Sequence, residues 1–165
     1  MRKLIGLFMV FSLAGLCVKA QSAFDKKIAA AVKQLECTEP DNENPVTLNA
    51  KLLAEQDSIA VMVKVRMAPG WHIYQYVPST MPYIPIEHIL KLPEGLVPVG
   101  KWEISKPFPS ANDPGVLIYE KEAVFIHKVF RQAATAGPIQ AGLYYQTCDL
   151  HQCLPPVEKI FELKQ

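Results

Sequence analysis

IAVMVKVR, residues 59 to 66, is the stretch that decides the fold class, because its β-branched residues recur at every second position. Successive side chains of a strand point to opposite faces, so this period predicts a strand with one buried face. Prolines and turn pairs separate it from later runs of similar character, which lie near 71–76, 84–91, 95–104, 122–131 and 138–148. Short strands divided by turns favour antiparallel sheets. We therefore predict an all-β, immunoglobulin-like antiparallel β-sandwich over residues 43 to 165.

The segment before the sandwich has a different period. Residues 22 to 37 carry Ile28, Val32 and Leu35 at helical spacing among alanines, which predicts a short amphipathic helix. The polar, proline-containing run TEPDNENP at 38–45 is typical of a linker. We assign residues 21 to 42 to this N-terminal helix and linker.

The first 20 residues have the layout of a secretory signal peptide. Arg2 and Lys3 precede an apolar stretch over 4–16, and Val18-Lys19-Ala20 precedes the first polar segment. This arrangement predicts cleavage after Ala20 and export to the periplasm or beyond the cell. The apolar stretch is shorter than the roughly 20 residues that span a bilayer, so we expect no transmembrane segment in the mature chain.

Composition narrows the function classes. Loss of the first 20 residues lowers the formal net charge from +1 to −2 and leaves 145 residues. No basic patch indicates a nucleic-acid partner. A chain of this length can bury a core without disulfide bonds to stabilise it, so its cysteines are available for chemistry.

Cysteines Cys37, Cys148 and Cys153 remain after cleavage, an odd number for an oxidising compartment. Four residues separate the last two, which makes them the natural pair and leaves Cys37 as a lone thiol. We predict that a strand ends at Cys148, turns, and restarts after Cys153. Facing strands hold Cα atoms about 4.5 to 5.5 Å apart, within the usual range for a disulfide.

Such a bond would stabilise the fold little, because closing a short loop removes little entropy from the unfolded chain. A pair that opens and closes is therefore favoured over a structural bridge. Within the loop, His151 as an imidazolium would favour a thiolate and Asp149 would oppose it. The alternative that His151 is an ordinary solvent-exposed loop residue, with no part in the chemistry, is equally open.

Two motifs resemble a known family. CDLHQCLPP at 148–156, preceded by Tyr144-Tyr145-Gln146, and APGWHIY at 68–74 are similar to the N-terminal periplasmic domain of the thiol:disulfide interchange protein DsbD. The likeness covers residues 44 to 164. It implies an immunoglobulin-like fold in which Cys148 and Cys153 are the redox pair, without a cofactor.

The resemblance also implies partners. The pair would receive electrons from a membrane-embedded thiol reductase and pass them to periplasmic thioredoxin-like proteins that serve disulfide isomerisation or cytochrome c maturation. The chain ends 12 residues after Cys153, so we expect the donor to be a separate protein. On this likeness Cys153 is the favoured sulfur for reaction with partners.

Neighbours of the pair follow from the same resemblance. His72 and Tyr74 fall on positions that lie beside the disulfide and shield it. Family members cover the site with a short cap loop that carries an aromatic residue. Residues 106 to 115 are the counterpart here, and Phe108 is their aromatic residue.

Two other functions remain open, so whether the chain is an oxidoreductase is undecided. Soft ligands could bind copper if Cys148, His151 and Cys153 met Met67, His72 or Met81. Alternatively, the disulfide fixes a loop in a non-catalytic interaction module. His88 and His127 lie in strand patterns, where structural histidines are commoner than ligands.

Overall fold

The computed structural model describes residues 23 to 165. Helix α1 covers residues 23 to 33, and the described residues after it contain eleven strands. The strands are β1 (Val46–Glu55), β2 (Ser58–Met67), β3 (His72–Tyr76), β4 (Glu87–Lys91), β5 (Leu96–Ile104), β6 (Phe108–Pro109), β7 (Leu117–Glu120), β8 (Glu122–Arg131), β9 (Ile139–Tyr145), β10 (Thr147–Cys148) and β11 (Val157–Leu163).

Helix α1 belongs to a unit that ends at Gln34, while Leu35–Gln165 form a second compact unit. The helix is amphipathic, since Phe24, Ile28 and Ala31 are buried and the lysines between them are exposed. It is shorter than the predicted span of 22 to 37, because a turn at Gln34 ends it.

Three antiparallel sheets build the second unit. Their strand orders are β1-β2-β8-β5, β10-β3-β7-β6 and β11-β9-β4. In β2 the prediction of one buried face was incomplete, because Ala60 and Met62 on the opposite face are also fully buried. Val61, Val63 and Val65 are fully buried, as the alternating stretch predicted. They pack in one core with residues of the other two sheets, including Ile73 of β3 and Leu143 of β9. The predicted antiparallel, immunoglobulin-like sandwich is confirmed.

The strand predictions were correct in type and incomplete in number. Strands β1, β6 and β7 lie outside the predicted runs, and the run 138–148 is two strands that join different sheets. Gln146 is the residue between them. A change of sheet depends on distant pairing partners, so the local period could not show it.

The predicted signal peptide lies outside the described residues. Within residues 23 to 165, no helix is long and apolar enough to cross a membrane. In the same range Cys37 is a free, half-buried thiol whose Sγ donates to the carbonyl of Lys64 at 3.4 Å. Burial is the main cause that raises the pKa of this thiol.

Candidate functional site

The two cysteines close a tight hairpin. Cys148 and Cys153 are disulfide-bonded, form an antiparallel bridge, and have Cα atoms 4.0 Å apart. This distance is slightly shorter than the sequence-based expectation. Backbone hydrogen bonds from Asp149 to Gln152 and from Leu154 to Thr147, both 2.9 Å, hold the two sides of the turn together.

The carboxylate of Asp149 organises the loop between the cysteines. Its Oδ1 accepts the backbone N–H groups of His151 and Gln152, each at 2.7 Å. These two hydrogen bonds are the leading causes that lower the pKa of Asp149. The loop is therefore held by its own first residue, which leaves the side chains of Leu150 and His151 exposed.

The two sulfurs have unequal access to solvent. Cys148 is 1% exposed and packs in a small cluster with Tyr74, Val116 and Ile118. Cys153, at the end of the turn, is exposed. A partner thiol or disulfide can therefore reach Cys153 directly, whereas Cys148 is covered.

Strand β3 forms one wall of the site. The register of β10 against β3 places Cys148 directly opposite His72. His72 Nε2 lies 3.1 Å from the Tyr74 hydroxyl, and the two rings meet edge to face at 5.0 Å. Tyr74 in turn stacks on Tyr83 with ring centroids 4.7 Å apart. Burial is the main cause that raises the pKa of Tyr74, so its hydroxyl stays protonated.

The opposite wall comes from the turn between β6 and β7. Asp113 accepts hydrogen bonds from the hydroxyls of Ser110 and Tyr83, both 3.3 Å. Between the two walls lies a groove of about 620 Å³ that both cysteines of the disulfide line. His72, Tyr74 and His151 all line this groove. Phe108 does not line it, since the residue lies on β6 with its side chain 56% exposed.

The charged residues of the groove are mostly acidic. Asp113, Glu120 and Asp149 line it, and the described lining residues include no lysine or arginine. All three carboxylates act to raise the pKa of His72, but burial is the larger effect and the net pKa is lowered. The imidazole is therefore neutral at neutral pH.

Tyr83 and Glu120 are site residues that the sequence did not reveal, whereas Asp113 belongs to the predicted cap segment 106 to 115, of which residues 110 to 113 line the groove. Tyr83 and Asp113 lie in connections between strands, and Glu120 ends a short strand that was not predicted. Gln146 belongs to the Tyr144-Tyr145-Gln146 motif, but no role was predicted for its side chain. Its Oε1 accepts the backbone N–H of Ile84 at 3.0 Å, and its Nε2 donates weakly to the carbonyl of Leu154 at 3.5 Å.

The proposed copper ligands come together only in part. His72 and His151 line the groove with both cysteines, which are joined in a disulfide, and Met81 packs against the cluster that contains Cys148. Met67 is buried in the main core, and neither it nor Met81 lines the groove. Among residues 23 to 165, no group of three or more His, Cys, Asp or Glu side chains could hold a metal ion.

Comparison with known proteins identifies relatives of this hairpin and fold. The family described as thiol:disulfide interchange protein DsbD, N-terminal, matches residues 39 to 165. No curated protein sequence matches the chain.

Three solved structures are similar to this chain. The N-terminal periplasmic domain of ScsB from Proteus mirabilis has 17% identity and a TM-score of 0.50, over 76% of this chain and 49% of that one. The reduced DsbD N-terminal domain of Neisseria meningitidis has 22% identity and a TM-score of 0.46, over 72% of this chain and 85% of that one. The complex between the DsbD and PilB N-terminal domains of Neisseria meningitidis has 21% identity and a TM-score of 0.44. The match covers 70% of this chain and 80% of that one.

Proposed function

This chain belongs to the DsbD N-terminal domain family of thiol:disulfide interchange proteins, and on that basis we propose that Cys148 and Cys153 cycle between dithiol and disulfide. The pair accepts reducing equivalents from a membrane-embedded thiol reductase. It passes them to thioredoxin-like proteins of the periplasm that serve disulfide isomerisation or cytochrome c maturation. The chain acts as an electron carrier between the two.

The unequal exposure of the two sulfurs within one short hairpin carries this proposal. In the dithiol form, the exposed Cys153 thiolate attacks a partner disulfide and forms a mixed disulfide, releasing the partner's other thiolate. Cys148 then attacks Cys153, and the partner leaves with both of its sulfurs reduced. Two electrons and two protons pass to the partner, and the Cys148–Cys153 bond forms.

The walls of the groove protect the buried sulfur during this cycle. We assign the shielding of Cys148 to His72 and Tyr74, with Tyr83 stacked behind. The turn from Ser110 to Asp113 takes the place in which the sequence suggested Phe108. His151, exposed beside Cys153, contacts an incoming partner rather than the covered sulfur.

Export is part of the proposal. A signal peptide that ends at Ala20 would deliver the mature domain to the periplasm, where thioredoxin-like proteins carry out disulfide exchange. Dithiol carriers in that compartment require a continuous supply of electrons, which explains the need for a membrane reductase as donor.

A reduction potential tests the proposal. We would equilibrate a Cys37→Ser variant of residues 21 to 165 with glutathione buffers, so that only the hairpin pair titrates. An exchanging pair should have a potential above about −300 mV, whereas structural disulfides lie below that value. The reduced domain should also reduce a purified thioredoxin-like protein within minutes. A much lower potential, or no transfer, would identify a structural disulfide.

A further inference from the structure

Three chemically complementary residues lie in one row across the second sheet. Cys148 on β10 is directly opposite His72 on β3, and His72 is directly opposite Glu120 on β7. Side chains at directly opposed positions of antiparallel strands point to the same face, with Cβ atoms about 4.5 to 5.5 Å apart. All three residues line the groove that holds the disulfide. The fold therefore places a thiol, an imidazole and a carboxylate side by side.

Cys148 needs help to lose its proton. It is the resolving sulfur of the proposed cycle, and only a thiolate attacks a disulfide. At 1% exposure it has almost no contact with water that could accept the proton. Burial in an apolar cluster disfavours the thiolate, and the described lining of the groove supplies no lysine or arginine to stabilise it.

The imidazole of His72 is placed to accept that proton. Its Nε2 is engaged with the Tyr74 hydroxyl at 3.1 Å, while Nδ1 has no hydrogen-bond partner among the described residues. When Nε2–H donates to Tyr74, the tautomer leaves Nδ1 as a free acceptor.

The surroundings of His72 suit a group that is neutral at rest and briefly charged. Burial keeps the imidazole unprotonated, and three carboxylates stabilise the imidazolium once it forms. These are Glu120 on β7, Asp113 in the turn before β7, and Asp149 after β10. Tyr74 and Tyr83 also lie on this side, and both phenols have raised pKa values and remain neutral.

We propose that His72 is the general base of the resolving step and that Glu120 positions it and stabilises its charged form. This inference rests on the proposed function. In the mixed disulfide, the Cys148 thiol gives its proton to His72 Nδ1, and the resulting thiolate attacks Cys153 Sγ. The bond between Cys153 and the partner sulfur breaks, and the partner thiolate leaves with the electron pair. The proton then passes from His72 to that thiolate or to water.

The same residues act in reverse when the domain is reduced. A donor thiolate attacks the exposed Cys153, and Cys148 leaves as a thiolate inside the groove. The imidazolium of His72 protonates it, so the buried sulfur is not left charged. One base therefore serves both directions of exchange.

A two-step release of chromophore isolates the resolving step. The reduced Cys37→Ser protein is mixed with dithiobisnitrobenzoate, which releases one thionitrobenzoate when Cys153 reacts and a second when Cys148 displaces the first adduct. His72→Gln should slow the second release at least about 10-fold at pH 7, a loss at the low end for removal of a general base. The first release should change by less than about 2-fold. At high pH the second release should recover, because Cys148 then ionises unaided.

Glu120→Gln and Glu122→Gln form a matched pair. Glu122 lies two residues further along the chain, binds Lys64 at 3.0 Å, and does not line the groove. Removal of the Glu120 carboxylate should lower the pKa of His72 and shift the pH profile of the second release to lower pH. Glu122→Gln should leave the profile unchanged. Free imidazole should partly restore the second release in His72→Ala.

The outcomes distinguish a failure of the proposed redox cycle from a failure of the roles assigned to His72 and Glu120. A Cys37→Ser parent protein that releases a single equivalent would overturn the proposed redox cycle together with this inference. If the Cys37→Ser parent releases two equivalents, the role of His72 alone would be overturned by a His72→Gln loss that is equal in both phases, or equal at every pH. Identical profiles for the two glutamate variants would remove Glu120 from the mechanism.

Discussion

His72 and Cys148 occupy directly opposed positions on β3 and β10, and the Thr147 hydroxyl donates to the backbone carbonyl of His72 at 2.9 Å. This hydrogen bond locks the register beside the disulfide. Because β10 contains only two residues, a single side-chain anchor contributes substantially to holding it. The residue with the covered sulfur is therefore held directly opposite His72, while Cys153 is exposed at the end of the turn.

The first prediction concerns labelling of the two thiols. In the reduced Cys37→Ser protein, iodoacetamide should modify Cys153 at least about 10-fold faster than Cys148, since reactivity follows access and thiolate fraction. Peptide mass spectrometry of quenched samples measures both rates. In urea the two rates should converge. Faster labelling of Cys148 in the folded protein would contradict the assignment of the exchanging sulfur.

The second prediction concerns the side chain of Gln146, which joins two backbone segments that flank the site. Gln146→Ala leaves the N–H of Ile84 without its acceptor at 3.0 Å, and should cost about 1 to 2 kcal/mol of unfolding free energy. Urea denaturation of the oxidised protein measures the change. Gln140→Ala, which removes an exposed contact to Glu162, should cost less than about 0.5 kcal/mol. Equal costs would argue against a bridging role for Gln146.

The third prediction concerns the acid sensitivity that His88 introduces. Its ring stacks on Trp102 at 5.1 Å, its Nε2 is buried without a hydrogen bond, and burial lowers its pKa from 6.5 to about 4. The unfolded state thus binds the proton more tightly than the folded state. This contribution to stability is complete above pH 6.5 and is lost as pH falls toward 4, by at most about 3 kcal/mol.

The His88→Phe variant should flatten this loss of stability. Urea denaturation at several pH values between about 7 and 4 measures it, since the interval brackets both pKa values. His151→Gln removes an exposed histidine instead and should retain the wild-type pH dependence. If His88→Phe loses as much stability on acidification as the wild type, other groups are responsible.

The fourth prediction concerns Gly142, where β9 and β11 approach closely. A Cβ atom at this position would lie 1.8 Å from the carbonyl oxygen of Lys159, a backbone atom that cannot move aside alone. Gly142→Ala should therefore destabilise the domain by about 3 kcal/mol or more. Thermal unfolding followed by circular dichroism tests this. A melting temperature within a few degrees of the wild type would contradict the predicted clash.

Local patterns predicted much of the fold. Alternation in 59–66 correctly identified a strand, since successive side chains of a strand point to opposite faces. It did not reveal that Ala60 and Met62 on the second face are also buried. Strand β1 was missed although Val46, Leu48, Ala50 and Leu52 alternate with polar residues. Strands β6 and β7 were missed because two and four residues are too few to show a period. Phe108 was assigned to the site by resemblance, and the structure places it outside the groove because β6 turns its side chain to solvent.

The sequence by itself determined the family, the sandwich and the pairing of Cys148 with Cys153, because these depend on local period, motif and short spacing. Only the tertiary structure decided which sulfur is covered and which side chains surround it. Glu120 lies 48 residues from His72 in the chain, and Cys148 lies 76 residues from it, yet all three occupy one row. That row exists because strand register aligns distant segments, and register is set by the burial of the whole sheet rather than by any local pattern.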